Sequence, residues 1–574
     1  MRILGIQDGV SAGAAILDDG KIVAVVSEER LDRRKMSTGF PEHSIRECLK
    51  LAGLRAGDVD RIAVANRTGL FKRPAFEYPG WFSKREDPRK KILFGAAALV
   101  SRRLLGYDWV RRAAYRLRAG LFAGRRPKLF EVLRGEFGFT CPIEFVDHHL
   151  AHAASAYFTS GLDDALVLTL DGAGDECSSH VYAVCQGSFE LKHKVDSFNS
   201  LGNYYGYVTH LLGFKAHRHE GKITGLAAYG KPSFQDRLRR LIRFREGTIE
   251  NTGRVFNQSA LAAIRRLLPK DYKNEDVAAS IQGLLEEIAL AYIRHWVVET
   301  GLKDLALAGG VFANVKLNQR IHELECVRTL FIHPGMGDEG LALGAALMVV
   351  DRLAREAGTR VKPERLKDVY FGPAYTNREI EKAVRDAGVQ AEYAPDIEDR
   401  IAKLLAQGKV VARFAGRMEY GPRALGNRSV LYQATDPTVN DWLNKRFNRT
   451  EFMPFAPVTL DEHAEKCYVN LDGSRYPARF MTITFDCTDW MKEHCPAVVH
   501  VDGTARPQII TRESNPSYYR ILERYYELTG LPSIINTSFN MHEEPIVCSP
   551  QDAIRSFQQG SLDYLALENW LVSQ

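Results

Sequence analysis

The chain has 574 residues, and 77 Lys and Arg residues against 71 Asp and Glu residues give it a formal net charge of +6. The positive charge is concentrated in residues 72–135, where 17 basic and five acidic residues leave a local charge of +12. This distribution argues against a protein that coats nucleic acid along its whole surface, and it marks 72–135 as a local feature. The length predicts two to four domains.

The first residues, 1–6, already read as a strand, with no charged and then apolar leader before them. The longest uncharged apolar run of the basic segment, 92–100, is far shorter than the roughly 20 residues that span a bilayer. Nine cysteines are scattered without a C-x-x-C pair, which is typical of a reduced protein without a zinc ribbon. We therefore expect a cytoplasmic protein with no transmembrane helix.

Two strand-loop-strand units are predicted far apart in the chain. The first has an apolar run from residue 2, a small-residue loop over 9–15 and a strand over 21–26. The second has a strand over 166–170, an acidic glycine loop over 171–175 and a return strand over 179–185. Paired units of this kind hold nucleotide phosphates in actin-like and sugar-kinase-like ATPases, although glycine-rich strand ends occur in many α/β folds.

A histidine pair is the first strong sign of chemistry. Residues 146–154 read V-D-H-H-L-A-H-A-A, and the Ala-rich continuation predicts a helix with His148 and His152 one turn apart on one face. Asp338, in a glycine-rich loop before a small-residue helix, is a candidate third ligand. Two imidazoles and one carboxylate leave open coordination positions and suit Fe(II), Zn(II) or Mn(II). The alternative is that these histidines are capping or core residues.

Two segments rich in small residues are candidates for contact with a ligand. Residues 305–314 lie in the middle of a helix-strand-helix pattern, and their size would let a nucleotide base or ribose approach the backbone. Residues 220–232 read as a loop folded over a ligand, with a tight turn between helices as the alternative.

The second half of the chain contains an arginine-rich segment. Residues 416–429 hold three arginines separated by Gly and Pro turns. Such a sequence is a poor helix, and guanidinium groups bind phosphate or carboxylate through paired hydrogen bonds. A surface lattice of salt bridges is the alternative. Further polar groups follow at 445–449, 502–506 and 536–540.

A linker is predicted after residue 350, where the pattern changes to a charged helix and then to V-K-P at 361–363. We therefore predict an amino-terminal domain over 1–355, with a basic helical insertion over 72–135, and a second domain over 365–574.

Together these motifs resemble the O-carbamoyltransferase family of nodulation-factor, cephamycin and tobramycin type. The resemblance runs nearly from end to end of the chain. The motifs that carry it are S-E-E-R-x-x-R-x-K at 27–35, H-H-L-A-H-A, L-D-G-x-G, E-G-K-x-x-G-L-A-A-Y-G, G-R-M-E-x-G-P-R-A-L-G-N-R-S, P-F-A-P at 454–457, D-G-T-A-R and N-T-S-F-N.

The resemblance implies an α/β protein in two parts. The amino-terminal part would be an actin-like (ASKHA) two-lobed domain similar to the tRNA threonylcarbamoyl transferase, and the carboxyl-terminal part would be a YrdC-like α/β domain. The second domain would convert carbamoyl phosphate and ATP to carbamoyl-adenylate. The first domain would then pass the carbamoyl group to an acceptor hydroxyl.

The resemblance also implies roles for individual residues. Carbamoyl phosphate and ATP would be held by Arg417, Arg423, Arg449, Arg506 and Asn536. Carbamoyl-adenylate would lie against Lys35, Asp171, Gly172, Gly202, Gly310 and Asn314. Fe(II), or another divalent transition metal, would be bound by His148, His152 and Asp338, and Mg²⁺ would accompany ATP.

Two positions depart from the family pattern. Family members carry His-Asp in the first loop, and that histidine is a natural general base for the acceptor hydroxyl, but the aligned residues here are Val10 and Ser11. The base is therefore unknown, and its candidates are Asp8, Glu28, His149 and metal-bound solvent. The family element F-R-P-F-A-P reads F-M-P-F-A-P here, so Met453 removes one arginine from the phosphate cradle.

Three alternative functions stay open. A tRNA-modifying enzyme would explain the basic segment, but 72–135 contains no RNA-binding motif. A carbamoyl-adenylate synthase or binding protein with altered or lost acceptor transfer would explain the changed first loop. A sugar kinase is disfavoured, because kinase chemistry does not require an arginine-rich second domain.

The expected partners are carbamoyl phosphate, ATP and a hydroxylated natural product or sugar, whose identity the sequence does not give, and nucleic acid is disfavoured. Within 109–126, aromatic and leucine residues alternate with arginines, as in a basic amphipathic helix that lies on an anionic membrane or binds an anionic partner. A solvated insertion beside the acceptor cleft is the alternative. A homodimer is also compatible with the sequence.

Overall fold

The computed structural model describes residues 1–82, 122–447 and 455–574. Within these ranges, two five-stranded sheets, one eight-stranded sheet and two small two-stranded sheets alternate with helices. The predicted α/β class is therefore confirmed. Arg449, Met453 and most of the predicted basic insertion lie outside the described residues. No helix of the described ranges is both long and apolar enough to cross a bilayer.

The first sheet has the strand order β3-β2-β1-β4-β5, in which β1 to β3 are antiparallel and β4 and β5 run parallel to β1. Its strands are β1 (Arg2–Gln7), β2 (Gly13–Asp18), β3 (Lys21–Ser27), β4 (Arg61–Ala65) and β5 (Ile143–Val146). The predicted loop over 9–15 is shorter than expected. Gly13, Ala14 and Ala15 belong to β2, because their small side chains are buried inside the sheet packing.

The second sheet repeats the connectivity of the first, with the order β12-β11-β6-β7-β8. Its strands are β6 (Asp164–Gly174), β7 (Cys177–Cys185), β8 (Ser188–Asp196), β11 (Asp304–Ala308) and β12 (Thr329–Ile332). The predicted hairpin is confirmed, and its turn uses Asp175 and Glu176, which both have positive φ angles. Each sheet is therefore an antiparallel meander extended by two parallel strands.

Helices α4 (His148–Phe158) and α11 (Leu341–Glu356) fill the space between these two sheets. Their alanines and leucines share one core with residues of both sheets. Small residues let the backbones approach closely: a Cβ on Gly5 would lie 1.9 Å from the carbonyl oxygen of Ala342 in α11. The predicted histidine helix is thus a central packing element as well as a carrier of histidines.

Along the chain, the remaining helices of this half precede β4, precede β5, or follow β8. They are α1 (Glu28–Asp32), α2 (Glu42–Ala52), α3 (Arg125–Glu131), α5 (Leu201–Leu211), α6 (Glu220–Ala227), α7 (Gln235–Arg239), α8 (Gln258–Leu267), α9 (Asn274–Thr300) and α10 (Val315–His322). A small hairpin pairs β9 (Arg243–Arg245) with β10 (Thr248–Glu250). The loop interpretation of 220–232 is wrong for 220–227, because Ile223 and Leu226 bury one helical face.

The eight-stranded sheet of the second half has the order β13-β22-β21-β14-β15-β20-β16-β19. Its strands are β13 (Ala391–Tyr393), β14 (Val411–Phe414), β15 (Arg428–Gln433), β16 (Ala456–Leu460), β19 (Gln508–Ile510), β20 (Ser533–Ser538), β21 (Tyr564–Leu567) and β22 (Trp570–Ser573). A separate pair joins β17 (Phe485–Asp486) to β18 (Thr504–Ala505). As predicted, the arginine-rich residues before β15 form a loop.

Helices pack on both faces of this sheet. One face is covered by α13 (Ile397–Ala406) and α18 (Pro516–Thr529), which share a core with the strands. The other helices are α12 (Asn377–Ala387), α14 (Val439–Arg446), α15 (Ala464–Cys467), α16 (Arg475–Ala478), α17 (Asp489–His494) and α19 (Pro550–Gln559). The chain between α11 and α12 has no regular secondary structure.

The crossing of α4 and α11 gives a prediction about stability. A Cβ on Gly344 would lie 1.8 Å from the carbonyl oxygen of Ala151, a backbone atom that cannot move aside. We expect Gly344→Ala to destabilise the protein by about 1–3 kcal/mol through overpacking. The measurement is the thermal unfolding midpoint. Gly135→Ala is the control, since no atom lies within 4 Å of a Cβ there, and an equal midpoint for both variants would contradict the prediction.

Candidate metal centre and substrate site

Four side chains that can bind a metal converge between the first two sheets. His148 and His152 come from α4, Asp171 from β6 and Asp338 from the turn before α11. The Nε2 atoms of both histidines lie 3.2 Å from Oδ2 of Asp171. The same Nε2 atoms lie 3.9 and 3.7 Å from Oδ1 of Asp338. One ligand atom from each residue lies within 4.8 Å of the others, so the structure brings the three predicted ligands together and adds Asp171.

The start of α4 explains how the histidines are aimed. The Asp147 carboxylate accepts hydrogen bonds from the backbone N–H groups of His149 and Leu150, which caps the helix at the cluster. His148 and His152 then lie one turn apart on the same face. Gly174 of β6 makes room for the first ring, because a Cβ there would come within 2.1 Å of His148.

The family resemblance predicts that Asp171 contacts carbamoyl-adenylate, and it does not include Asp171 among the metal ligands. It follows the buried apolar run of β6, so its carboxylate emerges near the carboxyl end of a central strand. An acidic residue in that position was a usable signal for a ligand. The sequence does not predict that the first turn of α4 faces this end of β6.

Burial and charge make the cluster suitable for a cation. Burial raises the pKa of Asp171, but the hydrogen bonds and charges of His148 and His152 outweigh it and hold the pKa well below its usual range. Burial lowers the pKa of His152, but Asp171 and Asp338 outweigh it and raise the pKa to about 9. Two carboxylates thus stabilise a positive charge at this position. A divalent ion would supply that charge and displace the imidazole proton, and the donor set of two nitrogens and two oxygens fits such an ion.

A chain of hydrogen bonds fixes the ring of His148. The backbone carbonyl of Val10 can only accept, so Gln7 donates Nε2–H to it at 3.2 Å. Gln7 Oε1 must then accept from Nδ2 of Asn66 at 2.7 Å, and Asn66 Oδ1 must accept from Nδ1 of His148 at 2.6 Å. The neutral imidazole therefore has its proton on Nδ1 and its Nε2 lone pair toward Asp171 and Asp338. This is the tautomer that binds a metal through Nε2.

Glycines keep side chains away from Asp171. A Cβ on Gly202 would lie 3.0 Å from the carbonyl oxygen of Asp171, and one on Gly310 would lie 3.1 Å from its Oδ1. A Cβ on Gly172 would meet Asn203 and His217. Three of the residues predicted to contact carbamoyl-adenylate therefore surround the cluster and leave its backbone accessible to a ligand.

The two other residues predicted to contact carbamoyl-adenylate have different surroundings. Asn314 caps α10, where its Oδ1 accepts from the backbone N–H of Leu317, and its Nδ2 donates to Gln282. Lys35 lies beyond α1, where burial lowers its pKa and Glu29 partly offsets this effect. The charges of Arg218 and Glu543 also act on Lys35, which places it near the contact between the two halves of the chain.

The three side chains considered as a general base are each engaged elsewhere. Asp8 forms a buried ion pair with Arg125, whose Nε donates to it at 3.0 Å. Glu28 accepts four hydrogen bonds from His43 and Ser44 at 2.6–3.0 Å. His149 binds the Thr169 hydroxyl through Nδ1, and burial holds its pKa well below the usual value. The ring of His149 still lies next to the cluster, 5.0 Å from the ring of His148.

The predicted phosphate-binding residues of the second half divide into two groups. Arg417 donates to the backbone carbonyls of Val23, Phe371 and Gly372, so it ties the second half to β3. Asn536 lies in β20 and donates to the carbonyl of Ala424, the neighbour of Arg423, and to Gln508, while its buried Oδ1 has no partner among the described residues. Arg506 directly follows β18 and lies two residues before Gln508, the first residue of β19.

Two family profiles match the chain: "Carbamoyltransferase N-terminus" over residues 2–347 and "Carbamoyltransferase C-terminus" over residues 402–574. The chain belongs to the carbamoyltransferase family. The predicted family and enzyme class are therefore confirmed, and such an enzyme requires a carbamoyl donor and an acceptor.

Similar proteins include two nodulation proteins. Nodulation protein NolNO of Sinorhizobium fredii is 35% identical over 98% of this carbamoyltransferase and 79% of the relative. Nodulation protein U of Rhizobium tropici is 29% identical over 98% of this chain and 95% of the relative. Among solved structures, full-length HypF in its phosphate- and nucleotide-bound form is 13% identical, with a TM-score of 0.35 over 61% of this chain and 55% of that one.

The hydrogen bonds behind His148 predict a role for Asn66 in metal affinity. We expect Asn66→Gly to weaken binding of Zn²⁺ or Fe²⁺ by about 10–100-fold, because the imidazole loses the acceptor that orients it. Glycine suits the φ of +69° at this position, so the backbone is not strained. Asn66→Asp retains an acceptor and should bind metal nearly as well as the wild type. The dissociation constant is measured by chelator competition, and equal affinity of the Gly variant and the wild type would rule out this role.

Proposed function

We propose that this carbamoyltransferase is an ATP-dependent O-carbamoyltransferase with two reaction sites. The second domain, 365–574, forms carbamoyl-adenylate from carbamoyl phosphate and Mg-ATP. The first domain, 1–355, transfers the carbamoyl group to a hydroxyl of a natural product or sugar. The observation that carries this proposal is the cluster of buried His148 and His152 with half-buried Asp171 and Asp338, in a chain whose two halves match the two carbamoyltransferase profiles.

In this proposal the first domain has an actin-like fold and the second a YrdC-like fold. The repeated strand order of the two five-stranded sheets supports a two-lobed first domain, with the metal cluster between the lobes. The eight-stranded sheet with helices on both faces is compatible with the second assignment.

At the first site, the cluster would hold Fe(II) or another divalent metal. When bound, the ion supplies a Lewis acid for the carbamoyl oxygen. The protein residues orient the intermediate: Gly172, Gly202 and Gly310 leave backbone open beside Asp171, so a flat carbamoyl group can lie close to it. Lys35 would neutralise the phosphate of the intermediate where the two halves of the chain meet.

At the second site, Arg423, Arg506 and Asn536 would hold carbamoyl phosphate and ATP. Asn536 contacts the backbone next to Arg423 and the side chain of Gln508 on β19, so these groups belong to one region of the sheet. Guanidinium groups bind phosphate oxygens through charged, paired hydrogen bonds. Arg417 would instead hold the two domains together through its three carbonyl contacts.

The two-site scheme predicts separable partial reactions. We expect Arg506→Ala to lower AMP formation from ATP and carbamoyl phosphate by about 100-fold or more, because phosphate charge is left unpaired. We expect Asp338→Asn to retain AMP formation but to lose transfer to an acceptor. AMP is measured by chromatography, and transfer is measured as a mass gain of one CONH unit in a panel of sugars, aminoglycosides and polyketides.

Arg512→Ala is the matched control for the arginine variant. The exposed Arg512 side chain contacts Glu523 and the ring of Tyr519, and it is not one of the proposed phosphate-binding residues. AMP formation by the wild type without carbamoylation of any acceptor would favour the synthase alternative. Loss of AMP formation in Asp338→Asn would contradict the separation of the two sites.

A further inference from the structure

A small space bordered by Gly172, Asn203 and His217 lies beside the metal cluster. A Cβ on Gly172 would lie 3.2 Å from Oδ1 of Asn203, 3.4 Å from Cε1 of His217 and 3.5 Å from its Nε2. Both Asn203 Oδ1 and His217 Nε2 are buried, and neither has a hydrogen-bond partner in the described part of the chain. Two unsatisfied polar atoms therefore border one small space next to Asp171.

Buried polar atoms without partners are costly, so two of them that border one space indicate a place for a water molecule or a polar ligand group. The space cannot be filled by a side chain on residue 172, because that residue is glycine. Asn203 Oδ1 is an acceptor only, and a histidine Nε2 that carries its lone pair is an acceptor as well. The space therefore fits a group that donates hydrogen bonds, such as a hydroxyl or an amide.

The imidazole of His217 is held firmly in this position. The backbone of His217 has a left-handed φ of +62°, and its backbone N–H donates to Oε1 of Glu220 at 2.6 Å. Its ring packs against Trp81, with 4.5 Å between the centroids, and against Gly206, where a Cβ would lie 3.1 Å from Cδ2.

Trp81 belongs to the basic segment and reaches His217 from the first lobe. On the side of the first lobe, the backbone carbonyl of Phe76 accepts a hydrogen bond from the backbone N–H of Thr38. On the side of the second lobe, the backbone N–H of Trp81 donates to the carbonyl of Ala216. Arg218 also binds Glu77 at 2.7 Å. Residues 76–82 thus bridge the two lobes and support the histidine from one side.

We propose that His217 is the proton acceptor for the acceptor hydroxyl during carbamoyl transfer, and that Asn203 accepts a hydrogen bond from the carbamoyl amide. This assignment rests on the proposed function. It supplies the base that Val10 and Ser11 do not, with a side chain that borders Gly172 beside the cluster. Asp8 and Glu28 are engaged in other contacts, and His149, whose ring lies 5.0 Å from that of His148, binds Thr169 and packs against His180.

Carbamoyl transfer forms one bond to the carbamoyl carbon and breaks another. The acceptor oxygen forms a bond to the carbamoyl carbon, and the bond between that carbon and the bridging oxygen of the adenylate breaks. AMP leaves with the electron pair of the broken bond. The hydroxyl proton moves to Nε2 of His217, and no oxidant or reductant is involved.

The test uses the full-length protein loaded with metal and an acceptor that the wild type carbamoylates in the screen described above. We expect His217→Gln to lower transfer to this acceptor by about 10²–10⁴-fold, the usual loss of a general base. AMP formation and metal content should equal those of the wild type. His193→Gln is the control, because that ring binds Thr248 and stacks on Trp296 away from the cluster.

Two further measurements separate a proton acceptor from a structural role. Hydroxylamine attacks without first losing a proton, so His217→Gln should still convert it to hydroxyurea at close to the wild-type rate. His217→Gly suits the left-handed φ and leaves a cavity, so free imidazole should restore transfer to the hydroxyl acceptor. Failure of the wild type to carbamoylate any acceptor would refute the proposed function itself. The assignment of His217 is overturned if His217→Gln transfers to the alcohol as fast as the wild type, or if both variants lose hydroxylamine carbamoylation and imidazole restores nothing.

Discussion

The imidazoles of His148 and His152 contact the carboxylate of Asp171 in a largely buried place. The charge of the carboxylate is stabilised by the imidazoles, and a positive charge on the imidazoles is stabilised by the carboxylate. His148 and His152 expose 3% and 0% of their side chains. A buried charge without a partner is expensive, so the end of β6 and the start of α4 must stay in register for this contact to exist. The close packing of α4 and α11 between the two sheets maintains that register.

The same region joins the two lobes. Asp175, in the turn that follows β6, accepts hydrogen bonds from the backbone of Arg67, Thr68 and His148. Asn66 connects the first lobe to the ring of His148. Polar groups of the first lobe therefore orient residues of the candidate metal cluster, so the position of His148 relative to Asp171 depends on how the two lobes are held together.

The carboxyl-terminal half of the chain contacts the amino-terminal half close to this cluster. Glu543 accepts from Lys215 and His219 at 2.7 and 2.9 Å and pairs with Arg218 at 2.8 Å. The hydrogen bond from His219 and the neighbouring cations hold the pKa of this carboxyl far below its usual range, despite partial burial. These cations flank His217 in sequence. Contact between the two halves of the chain thus holds the loop that carries the proposed proton acceptor.

The sequence by itself determined the α/β class, the hairpin of β6 and β7, the histidine helix and three members of the metal cluster. These features depend on local patterns: an apolar run, a capped helix and a spacing of one turn between His148 and His152. Only the tertiary structure decided which groups face one another. It paired Asp8 with Arg125 and directed Arg417 to backbone carbonyls. It also directed the carboxylate of Asp171 to His148 and His152 and placed His217 beside Gly172. Asp171 had a local signal at the end of a buried strand run, but its partners did not, because contacts between residues far apart in the chain follow from packing.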